Sequence, residues 1–292
     1  MSVAPEQRTV FVTGAAGSLG QRLLPVLHGV GWRTRCLIHR RPVPGAEENV
    51  DGDLADPESL HGALDGVDAV LHLAALTHAR NPKRYDAVNV AGTQALLAST
   101  PGSVTRFVLV SSRAVSPEGG AYSRSKLAAE AAVRATGLPW VVVRLPEVYG
   151  AGKSEGIDDM ISRAMRGSPI VIVGRGDQEL CPVHADDALP AVVASLTAPA
   201  AVHETYTLAG DCMTAREFAE RARDAIGSRS RIVAVPRAIV AVLGEFARVV
   251  PLPLYPDQLA RLSALKPRSA GDPARDLGFS SRPLDVGLRG AR

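Results

Sequence analysis

Residues Thr9 to Leu24 read TVFVTGAAGSLGQRLL, and this stretch decides the fold. Val10, Phe11 and Val12 form a short apolar run bounded by glycine, the pattern of a strand buried on both faces of a parallel sheet. Gly14, Gly17 and Gly20 follow at a spacing of three, and Ser18 to Leu27 continues with helical periodicity. A strand, a tight glycine turn and a helix in that order make a phosphate-binding turn. Glycine lets the backbone bend sharply, approach a pyrophosphate closely and pack the helix on the strand. The free N–H groups of the helix's first turn then face the anion. A glycine-rich connection with no ligand is the bland alternative, and the strand-before, helix-after context favours a dinucleotide.

Outward from this turn the first half alternates strands and helices. Strands are expected at Thr34–His39, ending near Val50–Leu54, at Ala69–Ala75, at Arg106–Ser112 and at Leu138–Arg144, with a long helix over Tyr85–Leu97. After Gly150 the alternation fades into a helix at 157–166, a strand at Ile170–Val173, a helix over 186–197, a strand at Tyr206–Leu208 and a capping box of Thr214 with Glu217. The fold class this implies is α/β, a Rossmann-type doubly wound parallel sheet with a smaller C-terminal lobe. The division falls at 1–150 and 151–292, with the 186–197 helix packing back on the first part.

Composition bounds the rest. With 292 residues and 46% hydrophobic content the chain can bury a full core, and a net charge of +3 is too small to point to nucleic acid or an anionic membrane. Lys83, Lys126, Lys153 and Lys266 are the only lysines, so a lysine inside a motif stands out. Cys36, Cys181 and Cys212 are an odd number without metal-ligand spacing and read as buried or free thiols in a reducing compartment. No basic segment followed by an apolar one opens the chain, so no signal peptide is expected and the cytoplasm is. Ala238–Leu254 is the most apolar later stretch. Glu245, Arg248 and Pro251 interrupt it, which favours a core helix over a membrane span.

Three stretches carry the chemistry. The end of the second strand offers His39, Arg40 and Arg41 where an NAD site places an acidic residue, and a guanidinium pairs with a 2′-phosphate that a carboxylate would repel. NADP is therefore favoured over NAD. Arg106–Ser112 ends in two hydroxyls at the edge where open parallel sheets bind ligands, with Ser112 ranked ahead of Ser111, which points to the other side. Tyr122 and Lys126 stand four apart on one helix face. Free tyrosine titrates near 10, too high for efficient proton exchange near neutrality, and a nearby ammonium favours the phenolate. His72 reads as a packed histidine. His184, Asp186 and Asp187 read as a helix cap ahead of a metal or acid/base cluster, and no metal is expected.

TGAAGSLG, HLAA at 72–75, NVAGT at 89–93, YSRSK at 122–126, LPEVYG at 145–150, VHADDALPA at 183–191 and DLGFSSRPLDVGL at 276–288 together resemble the extended branch of the short-chain dehydrogenase/reductase superfamily, the epimerase/dehydratase-like branch. The resemblance implies a catalytic set of Ser112, Tyr122, Lys126 and Asn89. It also implies a cofactor site of Gly14, Ala16, Gly17, Ser18, Leu19 and Gly20, then His39, Arg40 and Arg41, Asp53 with Leu54 by the adenine, Leu73, Ala74 and Ala75 along the dinucleotide, and Pro146 and Val148 at the hinge. Tyr122 and Lys126 belong to both sets, Lys126 holding the nicotinamide ribose. Asn89 has structural and catalytic readings of equal weight.

The implied activity is hydride transfer between nicotinamide and a secondary alcohol or ketone by a homodimer. A nucleotide-sugar epimerase or dehydratase is the alternative within enzymes, and a non-catalytic dinucleotide sensor the alternative outside them. The chain departs from the branch at three places: the loop RAVSPEGGA at 113–121 lacks the usual tyrosine, and Glu147 and Leu180 stand where nucleotide-sugar enzymes carry an asparagine and an arginine near the diphosphate. A substrate without a nucleotide diphosphate is expected.

Overall fold

The structure is a computed structural model that describes residues 8–39, 41–152, 156–246, 258–267 and 269–289. Its centre is a parallel sheet of seven strands: β1 (Thr9–Thr13), β2 (Arg33–Ile38), β3 (Glu48–Asp51), β4 (Ala69–His72), β5 (Arg106–Ser112), β6 (Trp140–Leu145) and β11 (Glu204–Thr207), ordered β11-β6-β5-β4-β1-β2-β3. The order reverses at β1 and β4. In an open α/β sheet, the crevice beyond the carboxyl ends of the strands at such a point is where a ligand sits. The register sets Thr13 beside His72 and Ser112 beside Leu145 along that edge.

Alternation within the apolar runs explains why both faces are covered. Val10 and Val12 pack with Leu23 and Leu27 of α1 (Ser18–Gly29) and with Ala188 and Val192 of α6 (Ala185–Ala194). Phe11 turns to the other face, where Leu96 of α3 (Gly92–Ser99) and Ala129 and Val133 of α4 (Gly120–Arg134) meet Phe107 and Leu109. Burial of such side chains contributes about 1.5–3 kcal/mol each.

After β6, three two-stranded sheets lie outside the central one among the described residues, pairing β7 (Val148–Tyr149) with β10 (Val183–His184), β9 (Glu179–Leu180) with β12 (Met213–Thr214), and β8 (Ile170–Val173) with β13 (Ile232–Val235). Tyr149, Leu180 and Met213 share an apolar cluster with α5 (Ile157–Met165), α7 (Ala215–Ile226) and α11 (Leu284–Arg289). Thr214 and Glu217 form the expected capping box, each accepting the other's backbone N–H at 3.1 and 2.7 Å. Helix α6 lies against α1, with Arg22 paired to Asp186 at 2.7 Å.

Several expectations are corrected. The third strand ends at Asp51; Gly52 still bonds back to Ile38, but Asp53 turns away into a tight bend closed by Asp56. The long helix over Tyr85–Leu97 is three pieces: a short α2 (Lys83–Tyr85), a π-helical stretch Asp86–Ala91 and α3. A wider turn of this kind re-aims a side chain, here Asn89. The apolar segment from Ala238 is not a core helix. Helix α8 (Arg237–Phe246) leaves Ile239, Val242 and Leu243 exposed, because it follows the outlying strand β13 and packs along α9 (Gln258–Ser263) rather than on the sheet. The rest of that segment, 247–254, lies outside the described residues. No described helix is long and apolar enough to cross a membrane.

For the cysteines the expectation of a buried free thiol holds at Cys36 and is corrected at Cys181 and Cys212. Cys36 is a buried free thiol, and burial pushes its pKa up to about 12. Cys181 and Cys212 form a disulfide. Antiparallel pairing of Leu180 with Met213 sets their neighbours opposite each other, a juxtaposition made by the ladder. Glu179 completes a group whose ligand atoms lie within 4.8 Å, but joining the two sulfurs removes them as metal ligands. The tail adds α10 (Pro273–Leu277), capped by Asp272.

Candidate active site

The glycine turn is built for close approach. Gly14 has φ +75°, and a Cβ there would sit 2.6 Å from the Ala74 backbone nitrogen. A Cβ on Gly20 would meet Ala15 and the Gly14 carbonyl at 2.5 Å, so α1 presses onto the turn. Helix α1 begins at Ser18 with no side-chain cap and no acidic residue in its first turn. Among the described residues the Ser18 hydroxyl is buried without a hydrogen-bond partner. Open N–H groups and an orphaned hydroxyl at a helix N-terminus fit a pyrophosphate.

Beyond β2, His39 Nδ1 lies 3.2 Å from Asp53 Oδ2, so the residue after the strand and the turn aspartate meet. Leu54 is buried against α3, and Arg41 is exposed. Arg40 lies outside the described residues. Ala74 and Ala75 continue from β4, where the Ala74 N–H donates to Thr13 Oγ1 at 3.2 Å.

Ser112 closes β5, half-buried, and its hydroxyl oxygen accepts from the Ala114 N–H at 3.1 Å, leaving its proton to donate elsewhere. Ser111 points the other way and donates to Glu130 Oε1 at 2.7 Å, as strand alternation requires. Tyr122 and Lys126 project from the first two turns of α4 and are buried. Lys126 Nζ donates to the Val110 carbonyl at 3.0 Å, which draws it toward β5. Burial lowers the Lys126 pKa to about 8, opposed by the Glu130 carboxylate.

Asn89 reaches back from the π-helical stretch. Its amide oxygen accepts from Leu76 N–H at 2.7 Å, and its nitrogen donates to Leu76 O at 3.0 Å and Ser125 Oγ at 2.9 Å. It therefore fixes the loop after β4 to helix α4. His72 is the packed histidine expected, bonded to Thr13 at 2.6 Å and Thr93 at 2.9 Å. Burial, with the Lys126 charge, lowers its pKa to about 3, so it is neutral in this network.

His184 accepts the Asp186 N–H as cap of α6, while Asp186 pairs with Arg22 and Asp187 with Arg282. Glu147 Oε1 is 3.3 Å from Lys266 Nζ, and its other oxygen accepts the Cys181 N–H. Leu180 is buried in the apolar cluster with Tyr149 and Met213. The loop residue Arg113 is paired with Glu179.

Two features escaped the sequence reading. Glu130 is fully buried between Arg144, Arg134 and Ser111; its position four after Lys126 on the same helix was an available signal. Arg261 of α9 lies over the Tyr122 ring, 4.0 Å from its centroid, and no motif in the tail announces it.

The sequence matches the family described as NAD dependent epimerase/dehydratase over residues 10–209, and the chain belongs to that family. It is accordingly an enzyme of the nicotinamide-dependent oxidoreductase type. Among its relatives, ceramide reductase of Caulobacter vibrioides is 33% identical over 236 residues, covering 78% of this chain and 73% of that one. The 3 beta-hydroxysteroid dehydrogenase/Delta 5-->4-isomerase of Mycobacterium tuberculosis is 28% identical over 212 residues, 61% of this chain and 57% of that one. The solved structure of MoeE5 in complex with UDP-glucose and NAD superposes with a TM-score of 0.75 at 25% identity, covering 96% of each chain.

Proposed function

We propose that the protein interconverts an apolar, lipid-like ketone and its secondary alcohol, with NADPH as the preferred cofactor. When bound, the nicotinamide supplies or accepts the hydride. Tyr122 gives a proton to the substrate oxygen or takes it back, Ser112 donates a hydrogen bond to that oxygen, and the Lys126 ammonium favours the charged phenol while holding the nicotinamide ribose. Gly14, Gly17 and Ser18 seat the pyrophosphate, and the guanidinium groups that the sequence supplies after β2, at positions 40 and 41, suit a 2′-phosphate by their charge. Asn89 holds the β4 loop in register with Tyr122 and Lys126 through its bonds to Leu76 and Ser125.

The observation that carries the substrate class is the fate of the two diphosphate positions. Leu180 is buried among apolar side chains, and Glu147 is a carboxylate engaged by Lys266. A buried leucine offers an anion nothing, and Glu147 engages the adjacent Lys266, so neither position presents an uncommitted cation to a diphosphate. The names of two relatives, a ceramide reductase and a hydroxysteroid dehydrogenase, support the same direction. A homodimer completes the reading; the Cys181–Cys212 bond favours an oxidising compartment over the cytoplasm expected from the sequence, since disulfides persist mainly there.

The test is the absorbance of reduced nicotinamide on adding a keto-ceramide, a steroid ketone, a long-chain alkyl ketone or UDP-glucose. Oxidation of NADPH by at least one of the lipid ketones and calorimetric silence with UDP-glucose are expected. Micromolar binding of UDP-glucose to the cofactor-loaded protein would promote the epimerase reading instead. Light scattering reads the oligomer.

A further inference from the structure

We infer that Arg261 is a positioning residue for Tyr122, a cation contributed by the C-terminal part of the chain to the face of the phenol ring. The inference rests on the reading of Tyr122 as the proton-transferring group. Helix α9 lies against α4, and the Arg261 guanidinium carbon is 4.0 Å from the Tyr122 ring centroid, well inside the range in which a cation is attracted to an aromatic face. The same guanidinium donates from Nη2 to the Thr77 carbonyl at 3.1 Å, which fixes its plane over the ring. Tyr85 meets Tyr122 edge-on, with centroids 5.9 Å apart at 69°. The phenol is thus held between an arginine on its face and a tyrosine edge.

The loop that follows β4 is held by three side chains, two of them the neighbours of Tyr122 just named. Asn89 grips Leu76, Arg261 grips Thr77, and the Tyr85 hydroxyl accepts the Ala79 N–H at 2.8 Å. Two of them also touch Tyr122, which links the loop to the phenol.

A cation over a phenol acts differentially. The ring gains electron density as its hydroxyl proton leaves, so attraction to the guanidinium is stronger in the state Tyr122 reaches during proton transfer than in the resting state. Arginine suits this place because it stays charged, whereas the buried Lys126 titrates near 8. Cation–π energies of about 0.5–2 kcal/mol correspond to rate effects of roughly twofold to thirtyfold.

The test compares Arg261→Lys and Arg261→Gln with the wild type, using NADPH and whichever lipid ketone above is turned over. Gln removes the charge and, being two bonds shorter, the bond to Thr77, while Lys keeps the charge on a side chain that is also shorter. The expected result is a kcat reduced roughly tenfold in Gln and largely restored in Lys, with KM and the NADPH dissociation constant little changed. Equal activity of Gln and Lys, or a loss confined to KM, overturns the inference and leaves Arg261 a tie to the loop. Tyr122→Phe runs in parallel. If it keeps near-full activity, the assignment of Tyr122 fails however the Arg261 variants behave. Turnover of none of the ketones by the wild type overturns both readings.

Discussion

Ser111 Oγ donates to Glu130 Oε1 at 2.7 Å beneath the sheet, while its neighbour Ser112 emerges at the open edge. One strand thus delivers one hydroxyl to a structural cluster and the next to the candidate site. Glu130 also receives Arg144 at 2.6 Å and Arg134 at 2.8 Å, and these contacts hold its pKa below the usual carboxylate value against burial. Glu130→Gln leaves Arg144 buried and without its charged partner, and the expected loss of stability is about 3–5 kcal/mol in urea denaturation. Ser111→Ala should cost about 1 kcal/mol and leave kcat intact; a kcat collapse in that variant would transfer the catalytic role from Ser112 to Ser111.

Tyr122→Phe keeps the ring and removes the proton-transferring hydroxyl. Turnover of an accepted ketone is expected to fall roughly 10²–10⁴-fold with NADPH affinity nearly unchanged. Lys126→Ala should weaken NADPH binding as well, which fluorescence titration of the two variants distinguishes.

Gly14→Ala places a methyl group 2.6 Å from the Ala74 nitrogen in a left-handed backbone conformation. The turn must open, and with it the pyrophosphate cradle. The NADPH dissociation constant should rise at least about tenfold. An unchanged constant would mean that the cofactor does not use this turn.

Cofactor preference tests the arginines after β2. The wild type should bind NADPH more tightly than NADH, and Arg40→Asp should narrow or reverse that order, because a charged bond to phosphate becomes repulsion. Comparable constants for both cofactors in the wild type count against the assignment.

His72 gives the pH dependence its sign. Its folded pKa of about 3 lies below the ordinary 6.5, so between those values the unfolded chain binds a proton that the folded chain refuses. The stability associated with it is present above about pH 6.5 and is lost as pH falls toward 3, by up to about 1.4 kcal/mol per unit. Imidazole NMR shifts should show this ring neutral at pH 5. A ring titrating near 6 would remove the effect.

Reduction of Cys181–Cys212 should lower stability by roughly 3.7 kcal/mol, the chain-entropy expectation for a separation of 31 residues. Intact mass and denaturation with and without a phosphine read the bond and its effect. Two thiols reactive in the native protein would show that the bond does not form in solution. Cys36, buried with its pKa near 12, should stay silent.

The sequence by itself determined what is local or repeated. The glycine turn is legible because only glycine tolerates the Gly14 conformation and the Gly20 contact. The parallel sheet follows from apolar runs that bury both faces, and Tyr122 with Lys126 from the helical period that sets residues four apart on one side. The cap at His184 and the box at Thr214 lie within three residues of their partners. Only the tertiary structure decided the contacts that cross the chain. Arg261 reaches Thr77 over 184 positions, Cys181 meets Cys212 because two short strands pair, and Asn89 grips Leu76 because the helix widens where it stands. Helix α8 shows the converse: its apolar composition suits a core, yet the sheet's faces were already filled by α1, α6, α3 and α4, so its side chains stayed outside. Periodicity states that a face is apolar; which surface remains to cover it is settled only when every other element has been placed.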